Sequence, residues 1–392
     1  MLTIVLTGGG SGGHITPLLS LAHELRKQKP QCQIIYIGLK GEKLEGLQSR
    51  YQAFSAVRFV PAGKFRRYHG QSFLATLADL RTVILNIGDS FKVLAGILAA
   101  RRILKELKPA VVFSKGGFVA VPVGMAAHWQ KIPIITHDSD ALPSLTNKIL
   151  GRWAAVHATG MAPTYYDYPP ASMRYVGIPV DERIKPVSKA DQESFKKQLG
   201  LPAGDLVLLI GGAGLGSREL NDKVIQITPD LLQTIKNLQI IHIAGVQHQS
   251  AVEAAYAQKL PAHKRGRVKV LGFTDEFYKY TGAADLVISR AGATTLAELA
   301  LQKKAVLLMP APFLSGGHQL KNAEQLKNLQ AAEVVDNNVT PEKLFDSVVQ
   351  LLQGDKKRAR LATNLAATAH PNAAKDLAAI ILEVAGAAKL AA

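Results

Sequence analysis

The sequence predicts an α/β protein of two Rossmann-like, doubly wound domains that join near residue 178. A chain of 392 residues is too long for one typical hydrophobic core, so two domains are expected. Each half also begins with a short apolar strand, a glycine-rich loop and a helix, at 2–29 and again from residue 206. The content of 47% hydrophobic residues, 33 glycines and 19 prolines is typical of a soluble α/β protein.

Composition limits the class of partner. The formal net charge of +17 predicts an anionic partner: nucleic acid, anionic lipid or a phosphorylated substrate. Only 6% of residues are aromatic and no nucleic-acid-binding signature is present, so we expect no nucleic acid. The single cysteine, Cys32, excludes an intramolecular disulfide and a cysteine-built metal site. Because we find neither a signal peptide nor an apolar run of membrane-spanning length, we expect a cytoplasmic protein.

The first glycine loop, at 7–14, lies between a strand at 2–6 and a helix predicted from about Thr16 to Lys29. Consecutive N–H groups in such a loop suit a phosphate. His14 stands beside them at a helix N-terminus, where the dipole disfavours protonation and leaves a neutral base. The alternative is a histidine that only caps or packs against the helix.

The same loop has the spacing of a dinucleotide-binding fingerprint. A ribose would then need an acid after the second strand, at 33–37, but that strand is followed by Gly38, Leu39 and Lys40. This disfavours NAD, while Lys40 leaves NADP open.

A helical stripe of apolar residues recurs at 73, 77, 80, 84, 87, 91, 94 and 98, with a break expected at Gly88-Asp89. Such a stripe usually faces a core. The basic run at 64–69 beside Phe73 and Leu74 instead favours a membrane-surface patch.

Two further loops follow predicted strands at 111–113 and 132–136. The first contains Gly116, Gly117 and Phe118, and the second reads His137-Asp138-Ser139-Asp140. An Asp-Ser-Asp triplet is also found in metal-dependent sugar transferases. Phosphate binding at helix N-termini can take the place of a metal ion in holding a diphosphate. We therefore expect no metal and no cofactor.

The second half repeats the pattern around 284–323. A strand at 286–289 leads through a small-residue turn into a helix beginning at Thr294, whose N–H groups suit a diphosphate. Glu298, one turn further, can accept from ribose hydroxyls. After a strand at 305–309, a loop delivers His318 and Gln319, as sugar-reading loops do at the carboxyl ends of parallel strands. The alternative is an ordinary βαβ unit.

The stretch ADLVISRAGATTLAELA at 284–300 resembles the donor-site signature of the MurG family, glycosyltransferase family 28, and the loop at 7–14 resembles its GGTGGH loop. The resemblance covers almost the whole chain. It implies the GT-B fold, two Rossmann-like domains facing across a cleft. The resemblance also implies a division of the chain. The acceptor- and membrane-facing domain would be 1–177, and the UDP-sugar-binding domain would be 178–370. A helix that returns to the first domain, with a frayed tail, would be 371–392.

The resemblance also implies an activity. It is inverting transfer of N-acetylglucosamine from UDP-GlcNAc to the C4 hydroxyl of undecaprenyl-linked muramyl-pentapeptide (lipid I), at the cytoplasmic face of an anionic membrane. His14 would be the base and Asp138 an orienting acid. The implied acceptor-binding residues are Gly9, Gly10, Gly116, Gly117 and Phe118. The implied donor-binding residues are Ser11, Gly12, Gly13, Asp140, Arg183, Gly216, Ser217, Phe273, Ala293, Thr294, Glu298, His318 and Gln319.

Three stretches depart from the family pattern. The family reads HEQN where this chain has residues 137–140. Asp140 can accept from a sugar hydroxyl but has no amide donor, so the preference for an acetamido sugar is left open. The loop at 211–217 has one extra residue, and Ser217 is the candidate for the missing serine. In the linker, Arg183 is the candidate for the family's arginine. A related glycolipid transferase, a non-catalytic nucleotide-sugar or lipid binder, and an oxidoreductase remain as alternatives.

Overall fold

The computed structural model describes residues 2–9, 12–41, 53–64, 79–211, 216–312 and 315–390. The chain divides into two compact units. Unit 1 comprises Met1–Asp181, Phe313–His318 and His370–Ala392, and unit 2 comprises Glu182–Pro312 and Gln319–Ala369.

Unit 1 contains a parallel seven-stranded sheet in the order β3-β2-β1-β4-β5-β6-β7. Its inner strands are continuous apolar runs, as expected where helices cover both faces. The order reverses between β1 and β4, and ligands of such sheets bind at the carboxyl ends of the strands beside this point. The strands are Thr3–Thr7 (β1), Gln33–Leu39 (β2), Ala56–Val60 (β3), Val111–Ser114 (β4), Ile134–Asp138 (β5), Ala154–Thr159 (β6) and Met173–Tyr175 (β7).

In the described part of unit 1, four α-helices precede the linker. They are Gly12–Gln28 (α1), Leu80–Leu107 (α2), Ala120–Trp129 (α3) and Leu145–Leu150 (α4). The start of α1 corrects the expected start near Thr16, because the loop glycines themselves are helical. Pro17, which has no N–H, therefore lies inside the helix rather than in its first turn.

Helix α2 is continuous over 28 residues, so the break expected at Gly88-Asp89 is wrong. Asp89 is buried, and it forms an ion pair with Lys92 at 2.8 Å. The backbone of Asp89 lies against Gly63, and Gly96 lies so close to the carbonyl of Pro61 that a Cβ there would be 2.1 Å from its oxygen. One face of α2 thus packs tightly on the unit.

The opposite face of α2 is exposed and apolar. The stripe residues Ile84, Ile87, Phe91, Leu94 and Leu98 are between 54% and 68% exposed, so they do not lie in a core. The part of the stripe at 73–77 and most of the basic run lie outside the described residues. By length and composition α2 could cross a membrane over Thr82–Leu107, which corrects the expectation that no apolar run is long enough.

Unit 2 contains a parallel six-stranded sheet in the order β10-β9-β8-β11-β12-β13. Its strands are Leu206–Gly211 (β8), Leu238–Ile243 (β9), Val268–Leu271 (β10), Leu286–Ser289 (β11), Val306–Leu308 (β12) and Glu333–Val334 (β13). Its helices are Lys189–Gln198 (α5), Arg218–Thr234 (α6), Gln249–Lys259 (α7), Ala262–Arg265 (α8), Phe277–Ala283 (α9), Ala293–Leu301 (α10), His318–Asn328 (α11), Pro341–Gln353 (α12) and Asp355–Ala366 (α13).

The last helix, Ala373–Leu390 (α14), packs on α1 in unit 1, where Leu377 and Ile381 join the core formed with Ile4 and Leu6. It continues to Leu390, through most of the tail expected to fray, because this alanine-rich segment has high helix propensity. With two parallel sheets and helices on their faces, the predicted pair of doubly wound α/β halves is confirmed.

Candidate active site

Two glycine loops meet at the carboxyl edge of the unit 1 sheet. Gly8 and Gly9 follow β1, while Gly116 and Gly117 lie in the loop after β4, the neighbouring strand. A Cβ on Gly117, whose φ is +79°, would lie 2.4 Å from the carbonyl oxygen of Gly9, so this approach requires glycine. Three of the predicted acceptor-side glycines are thus brought together, and the half-buried Phe118 follows them in the chain.

The rest of the first loop is only partly described. Gly10 and Ser11 lie outside the described residues. Gly12 and Gly13 open α1, and His14 is its third residue, although its side chain lies outside the described part of the chain. The role of His14 as a base stays a prediction.

The carboxylate of Asp138, at the end of β5, is buried and fully engaged. Its Oδ1 accepts from the backbone N of Ser144 at 3.0 Å and from Nδ2 of Asn147 at 2.9 Å, and its Oδ2 accepts from the hydroxyl of Tyr168 at 2.7 Å. Burial raises the pKa of Asp138, while these hydrogen bonds and the charge of Lys115 lower it. Three donors around one carboxylate orient it firmly but leave it poorly suited to ligate a metal.

His137, the residue before it, is buried and neutral. Burial, together with the charge of Lys115, holds its pKa well below the usual value. Its Nε2 donates to the carbonyl of Gly177 at 2.9 Å. His137 therefore connects the end of β5 to the segment that leads into the linker, rather than offering an accessible base.

Ser139 and Asp140 form the half-buried turn after β5. The ammonium of Lys115 donates to the hydroxyl of Ser139, and the carbonyl of Asp140 accepts from the hydroxyl of Tyr166 at 2.8 Å. The turn at 138–140 is thus held from both sides, by the second glycine loop and by the tyrosines that precede β7.

In unit 2, the first candidate loop follows β8. Residues 212–215 lie outside the described residues, but Gly216 is described, with a φ of +76°. A Cβ there would lie 2.1 Å from the carbonyl oxygen of Ala244, so only glycine fits. Ser217 caps α6, its hydroxyl accepting from the N of Leu220 at 3.5 Å.

Arg290 connects this loop to three others. Its guanidinium donates to the hydroxyl of Ser217 at 2.7 and 3.0 Å, to the carbonyl of Met309 at 2.8 Å, to Oδ1 of Asn337 at 2.6 Å and to Oε2 of Glu219 at 3.1 Å. These partners follow β8, β12 and β13, and Arg290 itself follows β11. One buried side chain therefore fixes the carboxyl ends of four adjacent strands, and the hydroxyl of Ser217 takes part in this clamp.

The turn after β11 leads into α10, whose N-cap is Gly292. Ala293 and Thr294 are its first two residues, so the helix starts one residue before the predicted Thr294. Glu298 follows one turn later and is half-buried. The N–H groups of the first turn and the carboxylate one turn away give the spacing expected for a diphosphate joined to a ribose.

His318 and Gln319 open α11, rather than lying in a loop as predicted. Oε1 of Gln319 accepts from the N of Ala311 at 3.0 Å, and the buried Asn322 donates to the carbonyl of Ala291 at 3.0 Å. These amides hold together the loops after β11 and β12.

Phe273 and Arg183 both lie at the segment after β10. Phe273 is 53% exposed. The guanidinium of Arg183 donates to the carbonyl of Asp275 at 3.2 Å and stacks over the ring of Tyr278, 4.9 Å from its centroid. Both predicted donor-side residues thus lie at one edge strand of the unit 2 sheet.

Sequence reasoning missed the side chains that hold these loops. Lys115, Tyr168 and Arg290 received no predicted role, although Lys115 and Arg290 lie inside the motifs that were singled out. A charged residue directly after a buried strand is a usable signal, because such a charge must find partners. The tyrosines carry no comparable signal.

Comparison with known proteins gives a consistent result. The glycosyltransferase family 28 N-terminal domain matches residues 4–159, and the family 28 C-terminal domain matches residues 206–377. A Lachnoclostridium phytofermentans protein is 35% identical over 91% of this chain and 92% of its own length. A Symbiobacterium thermophilum protein is 30% identical over 97% and 96%. Both are named UDP-N-acetylglucosamine–N-acetylmuramyl-(pentapeptide) pyrophosphoryl-undecaprenol N-acetylglucosamine transferase.

Among solved structures, the crystal structure of Acinetobacter baumannii MurG is similar over 98% of this chain and 100% of that chain. The TM-score is 0.71 and the sequence identity is 26%.

Proposed function

The chain belongs to glycosyltransferase family 28 and has the GT-B fold, and we propose that it transfers N-acetylglucosamine from UDP-GlcNAc to the C4 hydroxyl of lipid-linked muramyl-pentapeptide in peptidoglycan synthesis. The observation that carries the proposal is the match over nearly the whole length to relatives named for this reaction. The strand-end loops of both units support it, because they supply the glycine turns and helix N-termini that such a reaction needs.

We assign the donor to the C-terminal domain, 178–370. The N-terminus of α10, at Ala293 and Thr294, would receive the diphosphate, and Glu298 would accept from the ribose hydroxyls. Phe273 would lie at the uracil. Positive helix ends at the diphosphate stabilise the charge that develops on UDP as it leaves.

The acceptor belongs, in this proposal, to the N-terminal domain, 1–177. Its hydroxyl attacks the anomeric carbon while the bond to UDP breaks, and its proton passes to His14. Asp138 cannot readily take this proton, since its oxygens already accept three hydrogen bonds. It would instead orient the turn at 138–140, from which Asp140 accepts from a sugar hydroxyl.

We further propose that the exposed face of α2 attaches the protein peripherally to the cytoplasmic face of an anionic membrane. Five large apolar side chains lie on this face, while its other face is packed against unit 1. Exposed Arg101, Arg102 and Lys105 follow in the last turns of the helix. Apolar and cationic groups on one helix give the combination that binds anionic bilayers.

A related transferase with another sugar or lipid acceptor is the second candidate. The observation that favours it is the turn at 138–140, where Ser139 and Asp140 lack the amide donors of the family pattern.

The deciding experiment incubates the protein with a short-chain lipid I analogue and UDP-GlcNAc, UDP-glucose or UDP-galactose, and identifies products by mass spectrometry. We expect UDP-GlcNAc alone to give a product, and we expect that product to be heavier than the acceptor by one N-acetylhexosamine. Preference for another donor would support the second candidate. UDP binding without turnover of any donor would indicate a nucleotide-sugar binder instead.

A further inference from the structure

Lys115 is a buried lysine at the junction of the two glycine loops of unit 1. It follows β4 directly, is 4% exposed, and its backbone N donates to the carbonyl of Thr7 at 2.8 Å. Its Cβ lies so close to Gly8 that a Cβ on that glycine would be 2.8 Å away. The side chain is therefore confined beside the first glycine loop and is directed at the turn after β5.

The ammonium lies among acidic groups. It donates to the hydroxyl of Ser139, and the charges of Asp140 and Asp138, the residues on either side of Ser139 in the chain, act on it. In the described part of the chain, the titratable groups that interact with it are these two carboxylates and His137. Burial lowers the pKa of Lys115 to about 8, while the two carboxylates raise it.

A buried cation that interacts with the charges of two acids has a definite physical effect. Each charge alone would be costly to bury, and together they are compensated. The carboxylate of Asp138 is already held by hydrogen bonds from Ser144, Asn147 and Tyr168. The ammonium of Lys115 holds the next residue of the turn, Ser139, through its hydroxyl.

We propose that Lys115 is a positioning residue for sugar transfer: hydrogen-bonded to Ser139 between Asp138 and Asp140, its ammonium fixes the turn at 138–140 and supplies that acidic turn with a cation from the protein itself. The inference rests on the proposed function. It adds to it a residue that would act through Asp140, without touching the substrate.

The test compares Lys115→Met with Lys304→Met. Lys304 is a matched control, since it too is buried and burial likewise lowers its pKa to about 8. Its ammonium, however, donates to the carbonyls of Gly282 and Ala284. These carbonyls lie at the end of the unit 2 sheet opposite the strand-end loops. Both variants should lose thermal stability. Only Lys115→Met should lose kcat, by about 10- to 100-fold at pH 7, because a small displacement of a positioning turn has this effect. Its stabilisation by UDP should equal that of the wild type.

The pH dependence separates positioning from a general structural role. The cation is present below pH 8 and is lost as the pH rises through the folded-state pKa of Lys115. The ratio of wild-type kcat to Lys115→Met kcat should therefore fall towards one between pH 7 and 10. The corresponding ratio for Lys304→Met should stay constant. Lys115→Arg, which keeps the charge, should retain more activity at pH 9.5 than Lys115→Met.

A kcat of Lys115→Met equal to that of Lys304→Met, or a ratio independent of pH, would overturn the inference while leaving the proposed function standing. If Lys115→Met does not fold, Ser139→Ala decides, with an expected loss of about 3- to 10-fold in kcat. An unchanged kcat in folded Ser139→Ala would overturn the proposal. A wild-type protein without turnover would instead overturn the proposed function.

Discussion

The two units hold their strand-end loops with different cations. In unit 2 the guanidinium of Arg290 reaches partners in the loops after three neighbouring strands. In unit 1 the ammonium of Lys115 reaches one hydroxyl, and Tyr168 and Asn147 hold the adjacent carboxylate. A guanidinium stays charged across the physiological pH range, whereas the pKa of Lys115 is about 8. Of the two cations, Arg290 therefore stays charged across this pH range, while Lys115 can lose its charge within it.

We propose that the two units differ in role: unit 2 binds the donor nucleotide, and unit 1 holds the groups that move the proton. A site that only has to recognise a nucleotide gains from rigid loops. A site that moves a proton needs groups whose pKa values lie near the working pH.

The largest effect should come from His14→Ala. If unit 1 performs the chemistry, turnover should fall by about two to four powers of ten, the usual contribution of a general base, while thermal stabilisation by UDP stays nearly intact. His23→Ala, an exposed histidine on the same helix, serves as the control. Loss of UDP binding would make His14 a phosphate-loop residue, and unchanged turnover would show that His14 is not the base.

In unit 2, the second-largest effect should come from Arg290→Ala. Removal of the buried guanidinium takes a donor from Ser217, Met309 and Asn337, while the half-exposed Glu219 still accepts from Nδ2 of Asn337. Loss of these hydrogen bonds should lower the stability of unit 2 by about 3 kcal/mol. We expect a lower melting temperature and weaker stabilisation by UDP. Arg218→Ala, whose side chain is 84% exposed, should change neither. Full UDP binding by Arg290→Ala would contradict the view that the clamp organises the donor loops.

A smaller effect is expected for Glu298→Ala. Loss of charge-assisted contacts to two ribose hydroxyls should weaken UDP binding by about 1.5–3 kcal/mol, measured by calorimetry. Glu383→Ala, on α14 of unit 1, provides the comparison. Unchanged affinity in Glu298→Ala would remove this residue from the site and weaken the assignment of binding to unit 2.

The last effect, no larger than that of Glu298→Ala, should be seen in membrane association. Phe91→Ser on α2 should reduce partitioning onto vesicles containing anionic lipid by about 1.5–3 kcal/mol, the value of burying one such side chain. Leu329→Ser, an exposed apolar residue of unit 2, should bind like the wild type. High salt should release the protein, because the cationic part of the attraction is screened. Equal retention of both variants would leave no special role for α2.

The sequence was sufficient for the fold because its strands are continuous apolar runs and its loops carry glycine where backbones approach closely, as at Gly117 and Gly216. It was insufficient for α2, since a helical stripe has the same period whether it faces a core or solvent. The break expected at Gly88 did not occur because Asp89 is tied to Lys92 and packed against Gly63.

The side chains that hold the loops could not be predicted from the sequence, for a different reason. Arg290 bonds to residues 73 positions before it and 47 after it. Tyr168 reaches Asp138 across 30 residues. Spacing within a motif says nothing about such partners, which depend on strand order.

The exposed face of α2 also determines which measure of acceptor concentration the reaction rate should follow. A protein held on a bilayer by this face would meet a lipid-linked acceptor by diffusion in two dimensions. Its rate would then follow the mole fraction of acceptor in the membrane rather than the amount per volume of solution. Adding inert lipid at a fixed acceptor concentration would slow the wild type by surface dilution. A variant that has left the surface would no longer show this dilution, since it would approach the membrane-bound acceptor from solution, at a rate set by the amount of acceptor per volume.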